Sequence, residues 1–436
     1  MIAAAALRLL RQEATALLTR LGRVRPFVLH ETMVPAAAPS TTAQGAIEGY
    51  VAAERRALRR RVEEFVAWLD DAGGRAAPEV AQRRFTWLRM RFNVVLSNFD
   101  LFADVLTQRS EHDTGVWLAG LDVAAEDALA LRGNFYRPPP LICYIDRGPG
   151  AAIRRARTRL AGGGENPVAV IRVPRERMVG SGIASSLVHE VGHQAAELLG
   201  LVPSMRGELQ GLLRSPGGQR LAWRLWERWI SEILADLWSV SRVSIAAPLG
   251  LMAVVSLPTA FVFRLSWNDP HPIPWIRVKL SCAMGDALYP HPQWRQLSAV
   301  WGALYPIESV DPGRRALMTL IEETLPALVT LLVNHRPPAL RGKSLQEVLA
   351  APDRHPKSLA QLAANGTTVS DLMKHRPTLA FAVLGQSRVD GGWGAESEGN
   401  TVARLLRVWA LGGALSPKRR CLTNGTVARA PLPFIN

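Results

Sequence analysis

Cysteine and lysine are the scarce residues of this chain. Three cysteines, Cys143, Cys282 and Cys421, are scattered over 436 residues. They form no CxxC pair and no even set, which excludes a disulfide framework. Free thiols in a reducing, cytoplasmic setting are the expectation. Only five lysines accompany 47 arginines, so arginine carries the net charge of +15. Such a skew fits a GC-rich coding sequence better than selection for a polyanion. Nucleic acid is therefore not the expected partner, although a field of that sign favours acidic surfaces. Internal repeats and low-complexity tracts are missing as well. The N-terminus lacks a signal-peptide pattern: Arg8 and Arg11 interrupt its apolar run, and no small-residue cleavage site follows.

What is present centres on five residues, His189-Glu190-Val191-Gly192-His193. Ile183 to Leu199 reads as a helix ending at Gly200, after a strand at Val168 to Val173. A helix turns roughly 100° per residue, so His189 and His193 share one face. Two neutral imidazoles at that spacing can bind one zinc ion, and Glu190 can reach a water on it. Apart from Glu190, no charge lies between Ile183 and Ala196. The helix is expected to be buried, where each polar group requires a partner. The plain alternative is a buried helix with hydrogen-bonded histidines and no metal.

A hydrolytic zinc site needs a third protein ligand and one open position. Ala196 and Leu199 stand where the metzincin pattern requires Gly and His, which excludes that class. Further on, Trp229 to Val240 reads WISEILADLWSV, with Glu232 and Asp236 one turn apart on an otherwise apolar helix. Two carboxylates facing a core are costly unless something positive binds them. Glu232 as a ligand, with Asp236 accepting the outer N–H of a ligating histidine, accounts for both. Trp223, Trp226 and Trp229 recur just before, as packing for that helix.

The order H-E-x-x-H then E-x-x-x-D resembles the gluzincins, the thermolysin-like zinc peptidases. Downstream, Asp269 to Arg277 reads DPHPIPWIR. That H-P-x-x-x-x-R element resembles the CAAX prenyl endopeptidase and HtpX-like branch. The resemblance covers roughly residues 165 to 285 and implies a zincin-like catalytic core. It implies His189, His193 and Glu232 as zinc ligands, Glu190 as general base and Asp236 as the residue orienting a ligand. It implies His271 and Arg277 as stabilisers of the oxyanion. The alternative is an ordinary loop histidine, with Arg277 in a structural ion pair to Asp269 or Asp236. The function implied is a zinc-dependent endopeptidase acting on a protein or peptide substrate. Two readings from other classes stand beside it: a catalytically silent zinc-stabilised scaffold, and an Arg-rich nucleic-acid-associated protein.

The fold class expected is mainly α with a small β-sheet (α+β). The division expected is an amphipathic N-terminal helix at 1–32, a linker at 33–45 and a helical domain at 46–135. The metallopeptidase core follows at 136–290 and a helical C-terminal region at 291–436. The N-terminal helix has basic residues that can meet an anionic membrane, giving a peripheral contact; packing on its own domain is the more common role. Arg154 to Arg159 reads as a basic helix. The strand at 168–173 is an edge for substrate pairing or a core strand, with nothing to choose between them. Val243 to Phe263 holds 21 uncharged residues, enough to span a bilayer. Asp236 and His271 flank it, so if both serve one site a span would separate them. A bent, buried helical hairpin is the expectation there.

Overall fold

A computed structural model describes residues 1–24, 32–71, 77–147, 150–174, 180–213 and 218–415. The chain is mainly helical with one small sheet, as its pattern implies. It divides into two compact units. Of the described residues, the first holds those within 1–120, 160–164 and 407–415; the second holds those within 121–159 and 165–406. Residues 25–31, within the expected N-terminal segment, and Cys421 lie outside the described residues.

In the first unit, α1 (Ile2–Arg23), α2 (Thr41–Asp71) and α3 (Pro78–Thr107) pack together. Leu7, Leu10, Ala14, Leu17 and Leu21 of α1 are buried. Three- and four-residue spacing puts them on one stripe, and that stripe is covered within the unit rather than left for a membrane. The linker is shorter than expected, because α2 begins at Thr41. The Ser40 hydroxyl accepts from Ala43 N at 3.3 Å and so caps that helix.

The chain enters the second unit within α4 (His112–Leu129). Strands β1 (Leu141–Asp146), β2 (Ala152–Arg154) and β3 (Ala169–Pro174) form a sheet of order β1-β3-β2. β3 pairs parallel with β1 and antiparallel with β2. It is therefore the central strand, and Val170 to Arg172 are paired on both sides, so no edge is left there for a substrate. The basic helix expected at Arg154–Arg159 does not form. Arg154 ends β2, Arg157 sits at φ +63°, and Asn166 claims the Arg154 and Arg155 carbonyls with its amide. Helical bonding loses to these longer-range partners.

Helices complete the unit: α5 (Gly180–Leu198), α6 (Leu201–Leu213), α7 (Arg220–Val243), α8 (Ala246–Val255) and α9 (Thr259–Val262). Then come α10 (Pro274–Leu288), α11 (Pro292–Leu304) and α12 (Pro312–Asn334). Five more end the fold: α13 (Leu345–Leu349), α14 (Pro356–Ala364), α15 (Val369–Leu372), α16 (Pro377–Val389) and α17 (Ala395–Leu415). Gly200 at φ +61° takes the left-handed position that ends α5.

The uncharged run 243–263 is bent, not one span. Ser244 at φ +50° breaks it directly after α7, and α8 packs on α5, where Ser185 Oγ donates to the Ala247 carbonyl at 3.0 Å. Its tip departs from the expected burial: residues 256–261 are exposed, Leu257 to 45% and Phe261 to 49%. Among the described residues, one helix, α12, is long and apolar enough to cross a membrane; a core helix passes the same test, and α12 is partly buried.

Candidate metal centre

The site is made where α5 crosses α7, and Gly192 makes the crossing tight. A Cβ at Gly192 would stand 2.8 Å from both Cα and the carbonyl oxygen of Ala235. Backbone meets backbone there, so the residue must lack a side chain. Glu232 lies three residues before Ala235, nearly one turn, and is thereby brought over the histidine pair. The sequence reading passed over Gly192 as the unspecified position of the motif. A glycine inside an otherwise good helix was the available signal.

His189 Nε2 lies 3.2 Å and His193 Nε2 3.5 Å from Glu232 Oε2. One ligand atom from each of these three residues lies within 4.8 Å of the others. Two imidazole nitrogens and a carboxylate oxygen converging in this way form a donor set that fits a divalent metal ion. Glu232 is 7% exposed and is held well below the usual carboxylate range: burial opposes this, but the hydrogen bonds and charges of His189 and His193 outweigh it.

Behind the trio stands a buried pair. Asp236 Oδ1 is 2.8 Å from His189 Nδ1, the nitrogen facing away from Glu232. Arg277, from α10, donates to Asp236 twice, from Nε at 2.7 Å and from Nη2 at 2.8 Å. A bidentate guanidinium of this kind fixes the carboxylate in direction as well as charge. Desolvation raises the Asp236 pKa, but Arg277 and His189 reverse this and hold it below its ordinary value. Burial lowers the His189 pKa, yet Asp236 and Glu232 prevail and push it up to about 9.

Two further sequence candidates complete the cluster. Glu190 is buried on the same helix, and among the described residues its carboxylate accepts no hydrogen bond. His271 reaches the cluster from the segment between α9 and α10, with Nε2 3.2 Å from Glu232 Oε2. Asp269 holds it: Oδ1 is 2.7 Å from His271 Nδ1 and accepts from the His271 backbone N–H at 3.0 Å. Partial burial would raise the Asp269 pKa, but these bonds take it below the carboxylate range. All seven sequence-selected residues thus gather in one place. Arg277 differs in orientation, since two of its nitrogens face Asp236 and not the open side of the cluster. Asp269, which the sequence offers only as an ion-pair partner for Arg277, instead holds His271; Asp two residues before His is an Asx-type pattern that signals this.

The arrangement can bind a metal, orient one ligand through its outer nitrogen, and place a free carboxylate and a partly exposed imidazole beside it. No family model matches the chain, and no curated protein or solved structure is significantly similar to it.

Proposed function

We propose that the chain is a zinc-dependent endopeptidase of gluzincin type. The observation that carries this reading is the convergence of His189, His193 and Glu232 with Glu190 left free beside them. A purely structural metal site has no use for Glu190, which makes no hydrogen bond among the described residues and feels only the charge of Arg277.

His189 and His193 present Nε2 to the metal, and Glu232 presents an oxygen. Asp236 accepts from His189 Nδ1, which fixes the tautomer whose lone pair is on Nε2. Zinc, when bound, supplies a Lewis acid that polarises the scissile carbonyl and acidifies water. Glu190 takes the proton of the attacking water and passes it to the leaving amine. His271, steadied by Asp269, donates to the developing oxyanion from Nε2. Arg277 acts through Asp236 as a positioning residue, in place of the direct oxyanion contact that the family resemblance implies.

The substrate is a protein or peptide, and the setting is cytoplasmic, with peripheral membrane contact. Support for the membrane contact comes from the exposed apolar tip at Leu257 and Phe261, on the segment that leads to His271. The test is direct. Purified protein should carry one zinc per chain and cleave casein or a peptide library. Glu190→Gln should keep the zinc and lose activity by about 10³-fold, since the amide cannot accept the proton. Equal activity in both would assign any proteolysis to a contaminant or another site.

A further inference from the structure

Elsewhere in the second unit lies a cavity of about 490 Å³, within the range of small-ligand pockets. Three exposed cations line it: Arg132, Lys343 and Arg376. Two guanidinium groups line its inner part, Arg242 and Arg354, the latter 7% exposed. Its carboxylates are already engaged. Asp127 accepts from the Thr378 backbone N–H at 2.9 Å and hydroxyl at 2.7 Å. Glu347 accepts from Ser344 N at 2.6 Å and lies 3.1 Å from Arg336. Asp353 lies 3.1 Å from Arg354 Nη1. Arg354 also donates to the Arg242 carbonyl at 2.7 Å and to Thr378 Oγ1 at 3.0 Å.

Arg242 is left over. Its guanidinium lies 4.6 Å from the Trp238 ring, and among the described residues its Nε and Nη2 are buried without a hydrogen-bond partner. Burial pulls its pKa below the ordinary arginine value. Asp127 acts on it by charge alone, so the guanidinium still favours an anion placed against it. With exposed cations outside and guanidinium groups inside, the cavity grades toward negative ligands from mouth to floor.

We propose that this cavity binds the phosphate group of a small ligand, with Arg242 and Arg354 at its floor. A cavity lined by four arginines and a lysine matches a phosphate dianion better than a single carboxylate. A phosphate group fills only part of the space, and Phe135 on the wall offers an apolar face to an organic body. The proposal does not depend on the reading of the metal cluster, since no residue is shared.

The experiment is thermal unfolding and calorimetric titration of the full chain with inorganic phosphate and glycerol 3-phosphate. Sodium acetate and sodium chloride at matched ionic strength are the controls. Phosphate compounds should raise the unfolding midpoint by about 3 °C beyond the controls. Tighter binding of the ester identifies a phosphorylated metabolite as the ligand; equal binding identifies free phosphate. Arg242→Met should remove the shift. Should that variant fail to fold, Lys343→Ala combined with Arg376→Ala, both at the surface, should weaken binding by about tenfold. An undiminished shift in either variant, or an equal shift with acetate or chloride, would overturn the proposal.

Discussion

The metal cluster and the arginine-lined cavity are two solutions to one problem, buried charge, with opposite signs. At the α5–α7 crossing, Arg277 and Asp236 answer each other at 2.7 Å and 2.8 Å, and the converging histidines and Glu232 offer their donors to a cation. In the cavity, the lining carboxylates bond elsewhere, and among the described residues Arg242 feels Asp127 only by charge and leaves Nε and Nη2 without a hydrogen-bond partner. Buried charge is tolerated where a partner neutralises it. Where the chain supplies no partner, the missing charge points to what comes from outside. The sign of the deficit then states the sign of the ligand.

The sharpest way to break this comparison is to make the first site resemble the second. Asp236→Ala strands Arg277 in the interior and frees His189 Nδ1. Removing one member of a buried pair typically costs about 3–5 kcal/mol. Urea unfolding of the metal-free protein should show a loss of that order. Metal affinity should fall by about 10–100-fold, as is usual for a lost partner of a ligating histidine. A stability change under about 1 kcal/mol would mean that Arg277 finds solvent readily, and the contrast with Arg242 would collapse.

His271→Ala tests the next largest effect. Zinc content and KM should change little, while kcat falls by about 10²-fold, the usual loss for one oxyanion donor. Asp269→Asn should show a milder form of the same split, because it loosens the ring and leaves it in place. If His271→Ala instead releases the metal, the residue belongs to the ligand set and not to the donors.

These two sites also differ in how far the sequence disclosed them. His189, Glu190, His193, Glu232 and Asp236 stand at one-turn spacings on two helices, so helical geometry alone groups each set. Joining the sets rested on the cost of two carboxylates facing a core, and their closeness depends on Gly192, whose role appears only once Ala235 lies against it. The cavity left no comparable trace. Arg132, Arg242, Lys343, Arg354 and Arg376 come from separate segments, and no local period links them. In a chain with 47 arginines, nothing in the sequence sets these four apart. The helices were legible for the same reason as the motif, since apolar spacing is local. Arg154–Arg159 was misread because its backbone answers to Asn166 and Gln194, both distant in sequence. The exposed tip at 256–261 was missed because an apolar run does not say which of its parts the fold covers.

The pH dependence of metal binding sharpens the comparison further. Without metal, His189 is held protonated up to about 9 by Asp236 and Glu232, against the opposing effect of burial. Its unfolded value is 6.5, so the folded value is raised. Protonation therefore stabilises the metal-free fold fully below about 6.5, and that stability is lost as pH rises through about 9. Metal must displace this proton, so apparent affinity should climb by about tenfold per pH unit from pH 6.5 to 8.5. Competition titration with a chromophoric chelator reads this slope. A flat profile would place the proton elsewhere in the cluster.

The smallest expected effect is the most telling about the cavity. Arg242→Met removes a partly buried cation whose Nε and Nη2 have no hydrogen-bond partner among the described residues, and replaces it with an unbranched apolar chain that fills similar space. In phosphate-free buffer, nothing is left stranded: Arg354 bonds to the carbonyl of residue 242, which the substitution keeps. Stability should therefore hold or rise by about 1 kcal/mol, the reverse of Asp236→Ala. The stacking of the guanidinium on Trp238 opposes this gain, by roughly 0.5–1 kcal/mol. Unfolding in urea at matched salt distinguishes the cases. A loss of about 3 kcal/mol or more would show that Arg242 is answered within the chain, as Arg277 is, and the two sites would then be alike.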